Sequence, residues 1–369
     1  MPLQMLEFAA LVFPVRDTLA MADLPADIRD SRRATVTLSD VARLAGVAPM
    51  TVSRYLNQPA VVSSTTRLKV QRAIEQTGYV HNRLAGSLRS NRTRLVAVVL
   101  PMVTNPLFSD TFQAINERLA QAGYQVLLGV SGYEREQEQD LLEVILSRRP
   151  DGIILTGTLH TPASRNRLRA AGVPVVETWD LSAEPIDMLV GFSHEQAGRE
   201  VARHLLGLGY RRFASLGVDD PRGQRRAASF LQALAEQGID AVTQRVFTGA
   251  PSLAQGREGL SGLLTPAPGA GEQPLMVVCT SDTIAQGVLT EAAARRIAVP
   301  AQVAVMGFGD MAFAAHTFPS LSTVRIDGAL MGHKAAQRLL DRLQGVPCGD
   351  VVEDIGFNLV QRQSTTAPE

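Results

Sequence analysis

From Leu95 onward, short β-branched runs alternate with longer stretches in which apolar residues recur at helical spacing. The runs LVAVVL (95–100), QVLLGV (125–130), GIILT (152–156), PVVET (174–178), FASLG (213–217), PLMVVCT (274–280) and QVAVMGF (302–308) predict strands. Between them, TFQAINERLAQAG, EQDLLEVILSRR, REVARHLLGLG, ASFLQALAEQG and TIAQGVLTEAAARR predict helices, several stopped by glycine. Strands apolar almost throughout, separated by helices, imply parallel sheets covered on both faces. Roughly 270 residues of this pattern exceed what one sheet takes, so two doubly wound subdomains are expected side by side. Ligands in such folds bind beyond the carboxyl ends of strands, which here means the cleft between the two.

The first ninety residues carry a different pattern, with short helices and no strand. Thr37 and Asp40 predict a capping box with Asp in place of Glu, followed by an apolar face of Val41, Leu44 and Ala45 that Gly46 ends. Pro49 suits the first position of the next helix, APMTVSRYLN, because its missing N–H is an orphan there anyway. Val52 and Leu56 then face inward, leaving Met50, Ser53, Arg54 and Asn57 on other faces. Ser63 or Ser64 caps a third helix whose Leu68, Val70 and Ile74 are expected to complete a small core before Gly78. Helix, short turn, helix is the helix-turn-helix unit.

Charge sharpens this picture. The whole chain is neutral, yet residues 31–94 hold eleven Arg and Lys against only Asp40 and Glu75, so this segment is +9 and the remainder −9. A basic block beside an acidic body points to a polyanion contacting one end. Cys279 and Cys348 suggest neither a disulfide framework nor a metal cluster, which fits a reducing cytoplasm without cofactor or metal. No apolar run reaches the ~18 residues of a membrane span. LEFAALVFPV lacks the basic flank of a signal peptide; Met21 is an alternative start, and residues 1–33 are expected to be a poorly ordered extension. The sequence contains no GxxxxGK[ST], HExxH or GxSxG, and no GxGxxG after a strand, which argues against an enzyme on this fold.

TLSDVARLAGVAPMTVSRYLN, then VSSTTRLKVQRAIEQTGYVHNRLAGSLRS, then RLVAVVLPMVTNPLF resemble, in that order, the lactose-repressor family of bacterial transcription regulators, from about Val36 to Gln361. LTGTLHTP (155–162), VPVVETWD (173–180) and VGFSHEQAGR (190–199) look most like gluconate-type repressors. The resemblance implies a small all-α helix-turn-helix domain over 34–82, a hinge over 83–94 and a periplasmic-binding-protein-like α/β core over 95–361, with 362–369 as a tail. It divides the core into one lobe of about 95–192 and 324–346 and another of about 193–321 and 350–361. It further implies a homodimeric repressor that binds operator DNA and a sugar or sugar-acid effector, the effector shifting the lobes and thereby the paired hinges. A sugar-binding protein without DNA duty, and an α/β enzyme, are the alternatives; the +9 segment speaks against the first.

By the same resemblance, Pro49, Met50 and Arg54 lie toward bases, and Arg54 is the residue able to grip guanine O6 and N7 with a planar fork. Thr51, Ser53 and Asn57 are placed for phosphate or turn contacts, while Tyr55 either meets a phosphate or packs on the small core. Leu88 matches the hinge leucine that wedges a base step, and Gly86 weakens that hinge as a helix. Ala48 stands where relatives carry a capping hydroxyl, so about 1 kcal/mol of capping is missing. In the core, Arg226, four residues before Phe230, is the expected carboxylate clamp, with Arg225 assigned to the surface. Trp179, the sole Trp, is expected to wall the cleft and Asp180 to accept from hydroxyls. Asn105, Phe108, Phe192, Ser281, Asp282 and Phe308 match pocket positions; His160 either faces the anion or caps the following helix. Gly309, where many relatives have a side chain, leaves the ligand's hydroxyl pattern open.

Overall fold

The structure is a computed structural model that describes residues 36–80, 92–103, 105–132, 135–264, 273–347 and 349–366, the side chains of 135 and 136 excepted. The expected N-terminal extension and most of the hinge, Leu88 included, lie outside the described residues. Two compact units result, one within residues 1–86 and one within 87–369.

The first unit holds helices α1 (Leu38–Ala45), α2 (Pro49–Asn57) and α3 (Ser64–Thr77). The Thr37 hydroxyl accepts from Asp40 N–H at 3.3 Å while Thr37 N–H donates to the Asp40 carboxylate at 3.1 Å, so the first helix starts on a reciprocal cap. Gly46 and Gly78 end α1 and α3 at φ of 65° and 63°, a left-handed conformation that glycine adopts without strain. Ser63, rather than Ser64, caps α3. Val41, Ala42, Ala45, Val52, Val70 and Ala73 form the core, with Tyr55, Leu56 and Ile74 packed against it. Leu44 and Leu68 correct the expected faces: they are 53% and 57% exposed. At about 100° per residue, Leu68 falls on the side of α3 opposite Val70 and Ala73, and Leu44 lies a quarter turn from the Val41–Ala45 stripe.

The second unit carries two parallel sheets. The first contains β1 (Leu95–Leu100), β2 (Gln125–Val130), β3 (Gly152–Thr156), β4 (Val175–Thr178) and β5 (Met188–Gly191), connected through α4 (Ser109–Gln121), α5 (Arg135–Ser147) and α6 (Pro162–Ala171). The chain then enters α7 (His194–Gly207) and a second sheet of β6 (Arg212–Val218), β7 (Thr243–Phe247), β8 (Leu275–Cys279) and β9 (Val303–Met306), with α8 (Pro221–Ala235), α9 (Leu253–Leu263) and α10 (Asp282–Ala294) between them. It returns through β10 (Thr323–Arg325) to α11 (Gly328–Gln344) and finishes with β11 (Val352–Asp354) and β12 (Asn358–Val360). The strand orders are β11-β5-β4-β3-β1-β2 and β7-β6-β8-β9, all neighbours parallel, plus an antiparallel β10-β12 pair.

β5, β7 and the last three strands escape the sequence pattern because they are short or, like β7, lie exposed at a sheet edge. β11 also revises the expected lobe division. It pairs with β5, so Val352–Asp354 belongs to the first sheet, and only the following segment crosses back to pair with β10. The expected free tail is likewise anchored as far as Thr365. Ser364 and Thr365 are buried; the Ser364 hydroxyl donates to Val305 O at 2.7 Å and Tyr210 donates to Thr365 O at 2.9 Å. One apolar cluster runs from Val96, Val98 and Ile154 of the first sheet through Trp179 and Phe192 to Phe213, Phe230 and Met276 of the second, joining the two lobes into one unit. No helix among the described residues is long and apolar enough to cross a membrane.

Candidate functional site

In the helical unit, α2 is held by Val52, fully buried, and Leu56, half-buried. That anchoring leaves Pro49, Met50, Arg54 and Asn57 exposed, with Met50 52% accessible. Thr51 and Ser53 are half-buried. Ala48 takes the extended conformation of an N-cap but offers no side-chain bond, and Pro49 follows at the first helical position. Asn57 is turned back on its own helix, its amide donating to Ser53 O at 2.8 Å. Of the two roles open to Tyr55, packing on the small core is the one observed.

In the α/β unit, strand ends from both sheets converge on a cleft of two chambers that share Asp220 and Arg222. The first sheet supplies Asn105 and Phe108 after β1, Gly157 to His160 after β3, and Trp179 and Asp180 after β4. The second supplies Asp220, Arg222 and Arg226 after β6, Thr280 and Ser281 after β8, and Phe308 after β9. The chamber around Trp179 is the smaller of the two and the one around His160 the larger.

The smaller chamber is aromatic and cationic. Trp179 meets Phe108 edge-on at 5.2 Å and Phe192 at 6.2 Å between ring centroids. Trp179 holds φ of 65°, a conformation unfavourable for a bulky residue. Its carbonyl is pinned there by His194 Nε2–H at 2.9 Å. Arg226 lies over Phe308 at 3.6 Å from the ring centroid, and its terminal nitrogens donate to His194 Nδ1 and Thr280 O, each at 2.9 Å. Burial, with Arg222 and Arg225 nearby, lowers the Arg226 guanidinium to about 10, which leaves it charged at neutral pH. His194 is pushed well below its ordinary range, first by burial and then by Arg226 and Arg222. Asp220 caps α8, accepting from Gly223 N–H at 2.8 Å. Burial would raise its carboxyl, but Arg222 and Arg226 outweigh that and hold it low.

The larger chamber is acidic and polar. His160 does not cap the helix after it; the Thr161 hydroxyl does that. It lines this chamber, its ring buried between Glu138, 2.6 Å from Nδ1, and Glu177, 3.4 Å from Nε2. Burial alone would depress this imidazole, but the two carboxylates raise it to about 9. Asp180 is buried and already engaged, accepting from Thr158 Oγ1 at 2.9 Å and from Leu181 N–H at 2.9 Å while pairing with Arg225. Arg225 is therefore not the surface residue expected.

Two further expectations change. Phe192 is completely buried behind Trp179 and lines neither chamber; it is a backing residue. Asp282 is also fully buried, and its oxygens are taken by the Thr323 hydroxyl at 2.6 Å and Met311 N–H at 2.7 Å. Burial raises it to about 6, and it ties the turn after β9 to β10 rather than facing a ligand. Ser281 lines the aromatic chamber while capping α10, and Asn105 lines it while capping the turn Pro106–Phe108. Gly309 has a backbone reason: φ is 128°, and an added Cβ would sit 3.0 Å from Leu107. The lining residues missed from sequence include Glu138, His194, Asp220, Arg222 and Thr280. Buried polar atoms without a hydrogen-bond partner gather in this region, among them Trp179 Nε1 and Thr280 Oγ1. Buried polar groups are rarely left unpaired, so such a cluster marks a place for a polar occupant.

A family model of bacterial regulatory proteins, lacI family, matches residues 37–82, and a periplasmic binding protein-like domain model matches residues 202–365. The HTH-type transcriptional regulator GntR of Pseudomonas aeruginosa is 38% identical over 331 residues, covering 89% of this chain and 95% of that protein. The chain belongs to the lacI family of bacterial regulatory proteins. Among solved structures, a lacI-family transcriptional regulator from Silicibacter pomeroyi superposes with a TM-score of 0.83 at 34% identity, over 89% of this chain and 99% of that one. The lac repressor dimer bound to operator and an anti-inducer superposes at 0.75 with 28% identity, over 90% and 99%. As a lacI-family protein the chain is a DNA-binding transcriptional regulator with a periplasmic-binding-protein-like core, and its relatives are regulators rather than enzymes. The lacI model spans α1, α2 and α3, and both chambers draw residues from the matched core.

Proposed function

We propose that the protein is a cytoplasmic, homodimeric repressor whose operator affinity is set by a sugar acid of the gluconate type held between the lobes. The observation that carries the ligand class is the charge of the aromatic chamber. Arg222 and Arg226 face it against Asp220 alone, and His194 is neutral, so the lining is one positive charge in excess. A carboxylate balances that charge, and Trp179 Nε1 and Thr280 Oγ1, which lack hydrogen-bond partners in the protein, match hydroxyls. The GntR-named relative supports the same class.

On DNA, α2 presents Arg54 to base edges and Met50 to a thymine methyl. Pro49 lies beside Met50 toward the bases, Thr51 and Ser53 set the position of α2 on the backbone, and Leu88 wedges the centre of the site. Two-fold pairing of two chains matches paired half-sites. A thermal-shift screen of gluconate, ketogluconates and neutral hexoses tests the ligand class, because a ligand at a hundred times its Kd stabilises the folded state by about 2.7 kcal/mol. A shift with neutral hexoses and none with acids would reject the sugar-acid reading.

A further inference from the structure

Arg222 is, among the described residues, the one arginine lining both chambers. Arg226, the residue matched to a carboxylate clamp by sequence, is already committed: two donors go to His194 and Thr280, and its face is stacked on Phe308. Arg222 is loosely held. Its ion-pair partner is Asp220 at 3.5 Å, longer than the ~2.7–2.9 Å of a formed charge-assisted bond, and its guanidinium hangs 5.4 Å from the Phe108 centroid. The side chain is 13% exposed, so it reaches the cleft without being free of it.

The chambers also differ in charge. The larger one is lined by Glu138, Asp180 and Asp220 against His160 and Arg222, so carboxylates outnumber cations along its wall, opposite to the smaller one, while Arg225 pairs with Asp180. We propose that Arg222, rather than Arg226, grips the ligand's carboxylate and fixes its orientation. The acid end then lies in the aromatic chamber, and the hydroxylated chain runs past Arg222 toward Glu138. Arg226 backs this contact as part of the wall. The inference rests on the sugar-acid reading above and adds to it which residue selects the charge and which way the ligand points.

Isothermal titration of the full-length protein with gluconate, with glucitol as its uncharged counterpart and with glucarate as its double acid tests this. Arg222→Gln is expected to lower the gluconate-to-glucitol affinity ratio at least tenfold. Arg222→Lys, which keeps charge but not the fork, should lose part of it, and it carries the test if Gln perturbs folding. Glucarate should bind the unaltered protein at least tenfold more weakly than gluconate, since its second carboxylate meets the acidic chamber. If Arg222→Gln binds gluconate as the parent does, or glucarate matches gluconate, the assignment falls while the sugar-acid reading stands. If the parent binds only uncharged sugars, both fall.

Discussion

His194 Nδ1 lies 2.9 Å from Nη1 of Arg226, and because a guanidinium can only donate, the imidazole must accept there. Its Nε2 then carries the proton and donates to Trp179 O, so His194 is neutral and joins the strand end of one lobe to the cationic wall of the other. Its folded pKa is depressed, so the unfolded chain binds the extra proton, and stability should be lost as pH falls below the ordinary histidine range near 6.5. Between pH 7 and 8 the imidazole stays neutral, and gluconate affinity should show no histidine titration there. His194→Phe leaves Arg226 and Trp179 O each short of a partner and should cost about 1–3 kcal/mol in urea unfolding at pH 7.5. A variant as stable as the parent would show that the bridge contributes nothing.

His160 has the opposite sign. Its folded pKa is raised to about 9, so the folded state holds a proton that the unfolded chain releases above pH 6.5. The stabilisation is complete below pH 6.5 and declines as pH rises toward 9. The slope there approaches about 1.4 kcal/mol per pH unit for one proton. Urea unfolding at pH 6.5, 7.5 and 8.5 should show this decline, and His160→Gln should flatten it. An equal slope in both proteins would place the titration elsewhere.

Arg54→Ala should weaken binding to the cognate operator by about 1–3 kcal/mol and leave random DNA much less affected. Fluorescence anisotropy at fixed salt separates the two. Equal losses would reduce Arg54 to a phosphate contact.

Ala48→Ser should stabilise the helical unit by about 0.5–1 kcal/mol, because the backbone at Ala48 is already that of an N-cap and only the hydroxyl is missing. Hydrogen exchange of the α2 amides in the full chain reads this directly. Unchanged protection would mean that Pro49 already sets the helix start.

The helical unit was legible because its signals are local. Thr37, Asp40, Gly46, Pro49 and Gly78 each specify a helix end through their own backbone or a side chain three residues away. The cleft was legible only in outline. Trp179, Phe108 and Phe308 sit at strand ends, where apolar runs stop, and the sequence marks those stops. PRGQRR, however, offers three arginines within residues 222–226, and nothing local tells which of them line the cleft. Asp220 decides it by capping α8, which puts Arg222 in the first turn at the chamber junction and lets Arg225 reach Asp180. His194 reads as an ordinary helix start until Trp179 turns its carbonyl toward it. Phe192 and Asp282 were misplaced for the complementary reason: both adjoin lining positions, but their side chains point the other way, into the core.

The order in which the two lobes are closed bears on how this regulator is made. The first sheet is incomplete without Val352–Asp354, and the second lobe lacks β12 and the Ser364 anchor until residues 358–365 follow. The reading helices, by contrast, are complete by Gly78. During synthesis the DNA-reading part can therefore fold some 280 residues before the α/β core is closed. A ribosome that stalls in between would display a finished helical unit before either lobe of the cleft has closed.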